Sequence, residues 1–325
     1  MIISQTPLRI SFAGGGTDLP SFYRAHGGGA VVSAAIDRYI HVLVNAKFDA
    51  SIRVAYSETE NVDSLEQLKH PLFREAMRVV GIHDSIEVHS IADIPSEGTG
   101  LGSSSTFTVG LLNALYAYKG IQKDPGELAE TACRIEIDRL GGTLGKQDQY
   151  IAAYGGIRYF EFLPDDTVRV SPLPFPVEEI DRLSRHLSLF YTGITRKAQG
   201  ILKTMDGRTA TNRATLEAIR DLAGASRDAL LARDYAKLGA LLDDGWQMKR
   251  TLSPGITTPE IDGAYDRAKA AGAYGGKITG AGGGGFLLVM HPPGRSREIA
   301  AALPEMKHVP VHITPDGSRT LTVRY

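Results

Sequence analysis

The chain has 325 residues, 42% hydrophobic and 22% charged, enough to bury one large core or two lobes that share a cleft. A net charge of −1 argues against a general nucleic-acid binder, which needs a basic face to displace counterions. One cysteine, Cys133, excludes an intramolecular disulfide and a cysteine-rich zinc site.

The first ninety residues read mainly as strands. Leu8–Ala13, Ala30–Ala35, Tyr39–Ala46 and Ser51–Tyr56 are β-branched or alternating runs separated by glycine or charged turns. A helix is predicted over Ser64–Val80, a strand over Ser85–Ile91, a loop from Asp93 to Gly102 and a helix over Ser103–Tyr118. Another helix is expected from Asp124 to Leu140, where Gly141-Gly142 ends it; Cys133 lies in its apolar run as a buried, inert thiol. Ile157–Phe162 with Thr167–Val170 predicts a hairpin, and Leu187–Tyr191 a strand. Between Arg196 and Arg250, alanine, leucine and alternating charges predict two or three helices. Strands return at Lys277–Thr279, Gly285–Met290, Val309–Ile313 and Thr320–Arg324. The pattern predicts an α+β chain of two lobes, residues 1–190 and 191–325.

No basic segment followed by a long apolar run opens the chain, and Phe107–Tyr118 and Phe286–Met290 are too short to span a bilayer. A cytoplasmic protein with no membrane partner is expected. His26, His41, His83 and His89 show no metal-ligand spacing.

Three glycine-rich stations stand out. In the first, Pro7-Leu8-Arg9 leads to Gly14-Gly15-Gly16-Thr17-Asp18. Consecutive glycines let backbone approach a ligand, and Asp18 can accept hydrogen bonds from hydroxyls. Taken alone, the same residues also fit a tight turn with a solvated aspartate. In the second, Pro95-Ser96-Glu97-Gly98-Thr99-Gly100-Leu101-Gly102-Ser103-Ser104-Ser105 runs directly into a helix, whose first N–H groups can surround an anion while a serine hydroxyl ligates Mg²⁺. It is neither G-x-G-x-x-G nor a Walker A loop. The third, Gly275-Gly276-Lys277-Ile278-Thr279-Gly280-Ala281 and then four glycines, would be entropically costly in a plain hairpin. Close packing against a ligand or a second loop explains it better. Between the last two stations lie Glu136 and Asp148; one carboxylate could hold Mg²⁺ and the other orient a hydroxyl or receive its proton.

In this order the stations resemble the motifs of the GHMP superfamily: galactokinase, homoserine kinase, mevalonate kinase and phosphomevalonate kinase. PLRISFAGGGTD is similar to its first motif, although Gly15 and Gly16 stand where galactokinases carry Glu and His; PSEGTGLGSSS resembles the second and KITGAGGGGF the third. AGGGTDLPSFY, GKQDQYIAAYGG, YTGITRKA and SPGIT resemble the branch containing D-glycero-D-manno-heptose 7-phosphate kinases. The resemblance implies a two-lobed fold with a ribosomal protein S5 domain 2-like amino-terminal lobe and a ferredoxin-like carboxy-terminal lobe. It implies Mg²⁺-ATP-dependent phosphorylation of the anomeric hydroxyl of the heptose 7-phosphate, giving a 1,7-bisphosphate for nucleotide-activated heptose.

Carried over residue by residue, the resemblance implies ATP contacts at Gly98, Gly100, Leu101, Gly102, Ser103, Ser104 and Ser105, and Mg²⁺ ligation by Ser104 and Glu136. Asp148 matches the catalytic aspartate and Arg9 the basic residue that supports it. Gly15, Gly16, Thr17, Asp18, Gly282 and Gly283 fall on the sugar side. The far phosphate needs cations, for which Arg196-Lys197 and Lys249-Arg250 are the candidates, the alternative for both pairs being a solvated helix end. Related fucokinases share a similar AGG-x-x-D loop, so a kinase for a free sugar such as fucose is the alternative. A non-catalytic sugar or ATP sensor is a third reading, against which Arg9, Glu136 and Asp148 speak.

Overall fold

Two antiparallel strands form the spine of the protein: β1 (Ile2–Ala13) and, after the short helix α1 (Pro20–Tyr23), β2 (Gly29–Ala46). The computed structural model describes residues 1–95, 98–195 and 198–323. The sequence predicts two strands where β2 is one. Asp37 and Arg38, which suggested a break, are absorbed in a bulge: Leu8 pairs with Ile36 and Pro7 with Tyr39, and the strand continues. Along β1, Leu8 and Ile10 enter the core, whereas Arg9 and Ser11 on the opposite face line a cleft.

The chain continues through β3 (Ile52–Ala55), β4 (Thr59–Val62), α2 (Pro71–Val80), β5 (Ile86–Ala92) and α3 (Ser103–Tyr118). The helix expected over Ser64–Val80 begins only at Pro71. Proline cannot continue a helix from Ser64 but suits a first turn, and a 3₁₀ turn at Leu65–Gln67 precedes it. Helix α4 (Pro125–Cys133) starts at a capping box between Asp124 and Glu127. Its expected continuation to Leu140 is wider than an α-helix: Arg134–Arg139 form a π-helix, with Leu140 N–H donating to the Ile135 carbonyl at 3.0 Å. Then follow α5 (Gln147–Tyr154) and the hairpin β6 (Ile157–Phe162) and β7 (Val168–Pro172). Because β2 is 18 residues long, it serves two neighbours, β6 along its first half and β5 along its second.

After α6 (Val177–Ser184) the second sheet begins with β8 (Leu187–Tyr191). Four helices, α7 (Ala198–Asp206), α8 (Arg213–Leu231), α9 (Tyr235–Lys249) and α10 (Pro259–Ala270), precede β9 (Gly275–Ile278) and β10 (Phe286–Met290). α11 (Ser296–Ala302) and β11 (Lys307–Pro310) complete it. The order β11-β8-β10-β9, antiparallel throughout, is the ferredoxin-like split β-α-β arrangement. Buried Trp246 on α9 and Phe190 on β8 belong to its core.

A division at residue 190 would cut β8, which lies wholly in the second sheet. The last strand, β12 (Arg319–Thr322), returns to pair with β1 in the first. Among the described residues, no helix is long and apolar enough to cross a membrane.

Candidate active site

Arg9 and Ser11 face a cleft of 1020 Å³ whose walls come from both lobes. Arg9 is 4% exposed, and each nitrogen of its guanidinium donates a hydrogen bond. Nε donates to Asp148 Oδ1 at 2.7 Å, Nη2 to Asp148 Oδ2 at 2.6 Å, and Nη1 to the Gly100 carbonyl at 2.6 Å. This fork-on-carboxylate geometry fixes Asp148, in the first turn of α5, in one orientation.

Helix α3 points its amino terminus into the same cleft. Its N-cap, Gly102, is left-handed and offers no side-chain cap, so the first N–H groups stay available to an anion. A Cβ on Gly102 would stand 3.2 Å from Asp148 Oδ2, which places the helix start directly beside that carboxylate. The third glycine station locks onto the second. A Cβ on Gly100 would come within 2.5 Å of the Thr279 carbonyl, and one on Gly280 within 2.6 Å of Gly100 Cα. Thr279 Oγ1 also donates to the Thr99 carbonyl at 3.1 Å. Here the glycines serve loop-on-loop packing, one of the two roles expected of them.

Glu136 projects from the π-helix beside α3. Ser104 Oγ donates to Oε1 at 3.2 Å and Gln149 Nε2 to Oε2 at 2.6 Å. Burial pushes the Glu136 carboxyl up to about 7, the nearby Asp148 adding to the effect against these neutral donors. Asp18 is also buried and raised, first by desolvation and then by Asp148, although Gly16 N–H at 2.9 Å and Gln147 Nε2 at 3.1 Å donate to it. Ser104 and Glu136 offer hard oxygen atoms next to the α3 amino terminus, and among the described residues the side chains that donate to Glu136 are neutral. Such a donor set fits Mg²⁺, which takes one or two carboxylates and completes its shell with phosphate and water. The described residues hold no cluster of three or more His, Cys, Asp or Glu side chains placed to hold a metal ion.

Most residues singled out in the sequence line this cleft: Arg9, Gly15, Gly16, Asp18, Gly98, Gly100, Gly102, Ser103, Ser104, Ser105, Glu136, Asp148, Lys249 and Gly282. Four do not. Thr17 is fully buried, its hydroxyl donating to the Gly14 carbonyl at 2.8 Å and accepting from Ala30 N–H at 3.1 Å, so it shapes the glycine turn. Leu101 lies in the core and contributes only its carbonyl, which accepts from Arg9 N–H. Gly283 directs its N–H to the Ile256 carbonyl at 2.7 Å. Arg250 turns toward α10, where Nη2 meets Asp262 Oδ2 at 2.6 Å. Arg196 and Lys197 fall outside the described residues. The sequence reading missed Gln147, Ser11 and Lys277. Lys277 was the signal most open to view, being the one charged residue inside the third glycine station.

The chain matches two family models, described as the GHMP kinases N terminal domain over residues 68–156 and GHMP kinases C terminal over residues 226–308. It is 32% identical over 317 residues to a D-glycero-alpha-D-manno-heptose 7-phosphate kinase of Campylobacter jejuni, covering 93% of each chain. A mevalonate kinase of Methanothermobacter thermautotrophicus is 30% identical over 276 residues, 84% of this chain and 86% of that one. The crystal structure of a D-glycero-D-manno-heptose 1-phosphate kinase from Bacteroides thetaiotaomicron superposes with a TM-score of 0.84 at 28% identity, covering 100% of both chains.

Proposed function

The chain belongs to the GHMP kinase family, and from that premise we propose that it transfers a phosphoryl group from Mg²⁺-ATP to the anomeric hydroxyl of D-glycero-D-manno-heptose 7-phosphate. The product is the 1,7-bisphosphate, a precursor of nucleotide-activated heptose. The position of Asp148 carries this reading: held by Arg9, it stands between the α3 amino terminus and the Asp18 loop. The full-length similarity to heptose phosphate kinases supports the choice of sugar.

Phosphoryl transfer needs positioning and charge stabilisation more than covalent chemistry. The N–H groups at the start of α3 hold the ATP phosphates. Ser104 and Glu136 would hold Mg²⁺, which when bound neutralises charge on the phosphate oxygens. Asp18 accepts hydrogen bonds from sugar hydroxyls. Asp148 orients the anomeric hydroxyl and is placed to receive its proton as the oxygen bonds to phosphorus and ADP leaves. Arg9 fixes the Asp148 carboxylate and offsets charge beside it.

ADP release from Mg²⁺-ATP with a panel of sugars and sugar phosphates, followed by NMR of the product, tests the proposal. Turnover of the heptose 7-phosphate with an anomeric phosphate in the product is the expected result. A preference for a free hexose such as fucose would overturn the substrate, and ligand binding without turnover would favour a sensor.

A further inference from the structure

Two lysines on the cleft wall have no counter-charge in hydrogen-bond contact among the described residues. Lys277 on β9 is 6% exposed and donates to Ser11 Oγ at 2.9 Å. Lys249, the last residue of α9, donates to the Gly280 carbonyl. An ammonium carries three donors, so each keeps unused hydrogen-bonding capacity. The nearby carboxylates are engaged elsewhere: Asp148 by Arg9, and Asp18 by Gly16 and Gln147.

Retaining such cations costs stability in a ligand-free protein. Burial lowers Lys249 to about 8, with Arg9 adding, and takes Lys277 well below the usual lysine range, with Lys249 and Arg9 adding. Asp18 acts electrostatically on both lysines, and Asp148 on Lys249 as well. Ser11 lies two residues beyond Arg9 on the same face of β1, toward the Gly14–Asp18 loop. Lys277 is thereby tied through Ser11 to the wall that leads to the Asp18 loop, and Lys249 to Gly280, which packs on Gly100.

We infer that Lys249 and Lys277 bind the phosphate already carried by the acceptor, and so set the preference for a sugar phosphate over the free sugar. This rests on the substrate reading above and replaces Arg250, which faces Asp262, with a residue from the third glycine station. The pair comes from two separate segments, α9 and β9, so it is not apparent as a pair in the sequence.

The test compares D-glycero-D-manno-heptose 7-phosphate with the unphosphorylated heptose in the wild type, Lys277→Met, Lys249→Met and Lys277→Arg. Each methionine variant is expected to raise KM for the 7-phosphate roughly 10- to 100-fold, as loss of a charged hydrogen bond does, with KM for ATP moving less than about twofold. Lys277→Arg keeps the cation and retains most of the preference. Ligand-free Lys277→Met should melt higher than the wild type, because an amine whose charged form burial penalises is gone. If Lys277→Met does not fold, Lys249→Met reads the same selectivity from the end of α9. An equal fall in kcat on both acceptors with unchanged KM would overturn the inference, assigning the lysines to the phosphoryl group in transit. A wild type that prefers the 7-phosphate while the variants keep that preference overturns the lysine assignment alone. A wild type without the preference overturns the substrate reading as well.

Discussion

Asp18 and Gly145 approach so closely that a Cβ on Gly145 would overlap the Asp18 carboxylate. The two lie far apart in the sequence, yet the backbone from Gly145 to Gln147 forms the wall against which Asp18 is set. Lys146 N–H donates to the Asp18 carbonyl at 3.3 Å, and Gln147 N–H to its Oδ2 at 3.3 Å. The Asp18 carboxylate is thus positioned by the same segment that delivers Asp148.

Gly145→Ala is therefore expected to displace Asp18 and weaken the acceptor site. A misplacement near 1 Å in such a constellation costs about 10²-fold in kcat/KM for the sugar phosphate. ATP binding, built on α3, should change little. Steady-state kinetics with each substrate varied in turn would check this; a parallel loss of ATP affinity would show that the substitution disturbs the whole cleft.

Asp148→Asn keeps an oxygen for Arg9 but removes the charge and the proton acceptor. Transfer should fall about 10²- to 10⁴-fold while ATP affinity holds, the range expected for losing a positioned general base. Asp148→Ala goes further, because it leaves the Arg9 guanidinium buried without its carboxylate. Its cost to stability is about 2–3 kcal/mol, below that of a fully buried pair because the Asp148 side chain is 22% exposed. Single-turnover kinetics and urea melts separate the two effects. Full activity in Asp148→Asn would remove Asp148 from its assigned role.

The sequence discloses the pieces of this site more readily than their roles. Gly100 and Gly280 stand out by composition, and their mutual contact explains why no side chain fits there. Thr17 and Leu101 fall inside the same motifs, but a motif does not tell which residues turn inward; both face the core. Lys277 and Ser11 meet only because β9 and β1 come together in space. Among the elements, α3 follows directly from its glycine and serine start. Helix α5 has apolar residues on all sides and so carries no amphipathic period to read. The π-helix around Glu136 has the periodicity of an ordinary helix in one dimension, and its extra width appears only in hydrogen bonding.

Histidines of the second sheet predict a pH effect on stability. His186, His291 and His308 are all held below the usual imidazole range, by burial above all. Ser188 Oγ lies 2.9 Å from His291 Nε2 and 3.1 Å from His308 Nε2. The folded state binds fewer protons at these sites, so their contribution is fully present above about pH 6.5 and is lost as pH falls from there through the lowered folded values. Each histidine adds at most about 1.4 kcal/mol per pH unit. Glu136, raised to about 7, acts in the opposite sense over the same window. The lowered carboxylates Glu60, Asp166 and Asp243 act only below about pH 4.5. The difference between wild type and His291→Gln isolates the imidazole. Between pH 7 and 5 the variant should lose less melting temperature, and superimposable curves would rule His291 out.

Glu136→Gln separates the metal's part in binding from that of the helix. The substitution keeps the shape and an acceptor for Gln149 Nε2, and removes a buried charge that has only neutral hydrogen-bond donors. The ligand-free protein is therefore expected to gain about 1–3 kcal/mol of stability. The α3 amino terminus is untouched, so ATP without metal should stabilise both proteins alike. In the wild type, adding Mg²⁺ to ATP should raise the melting temperature further, because the metal binds the folded state and not the unfolded chain. That increment should vanish in the variant, together with turnover. Melts in ATP with and without Mg²⁺ decide the matter: an undiminished Mg²⁺ increment in Glu136→Gln would exclude Glu136 as a ligand and leave its buried charge without a partner.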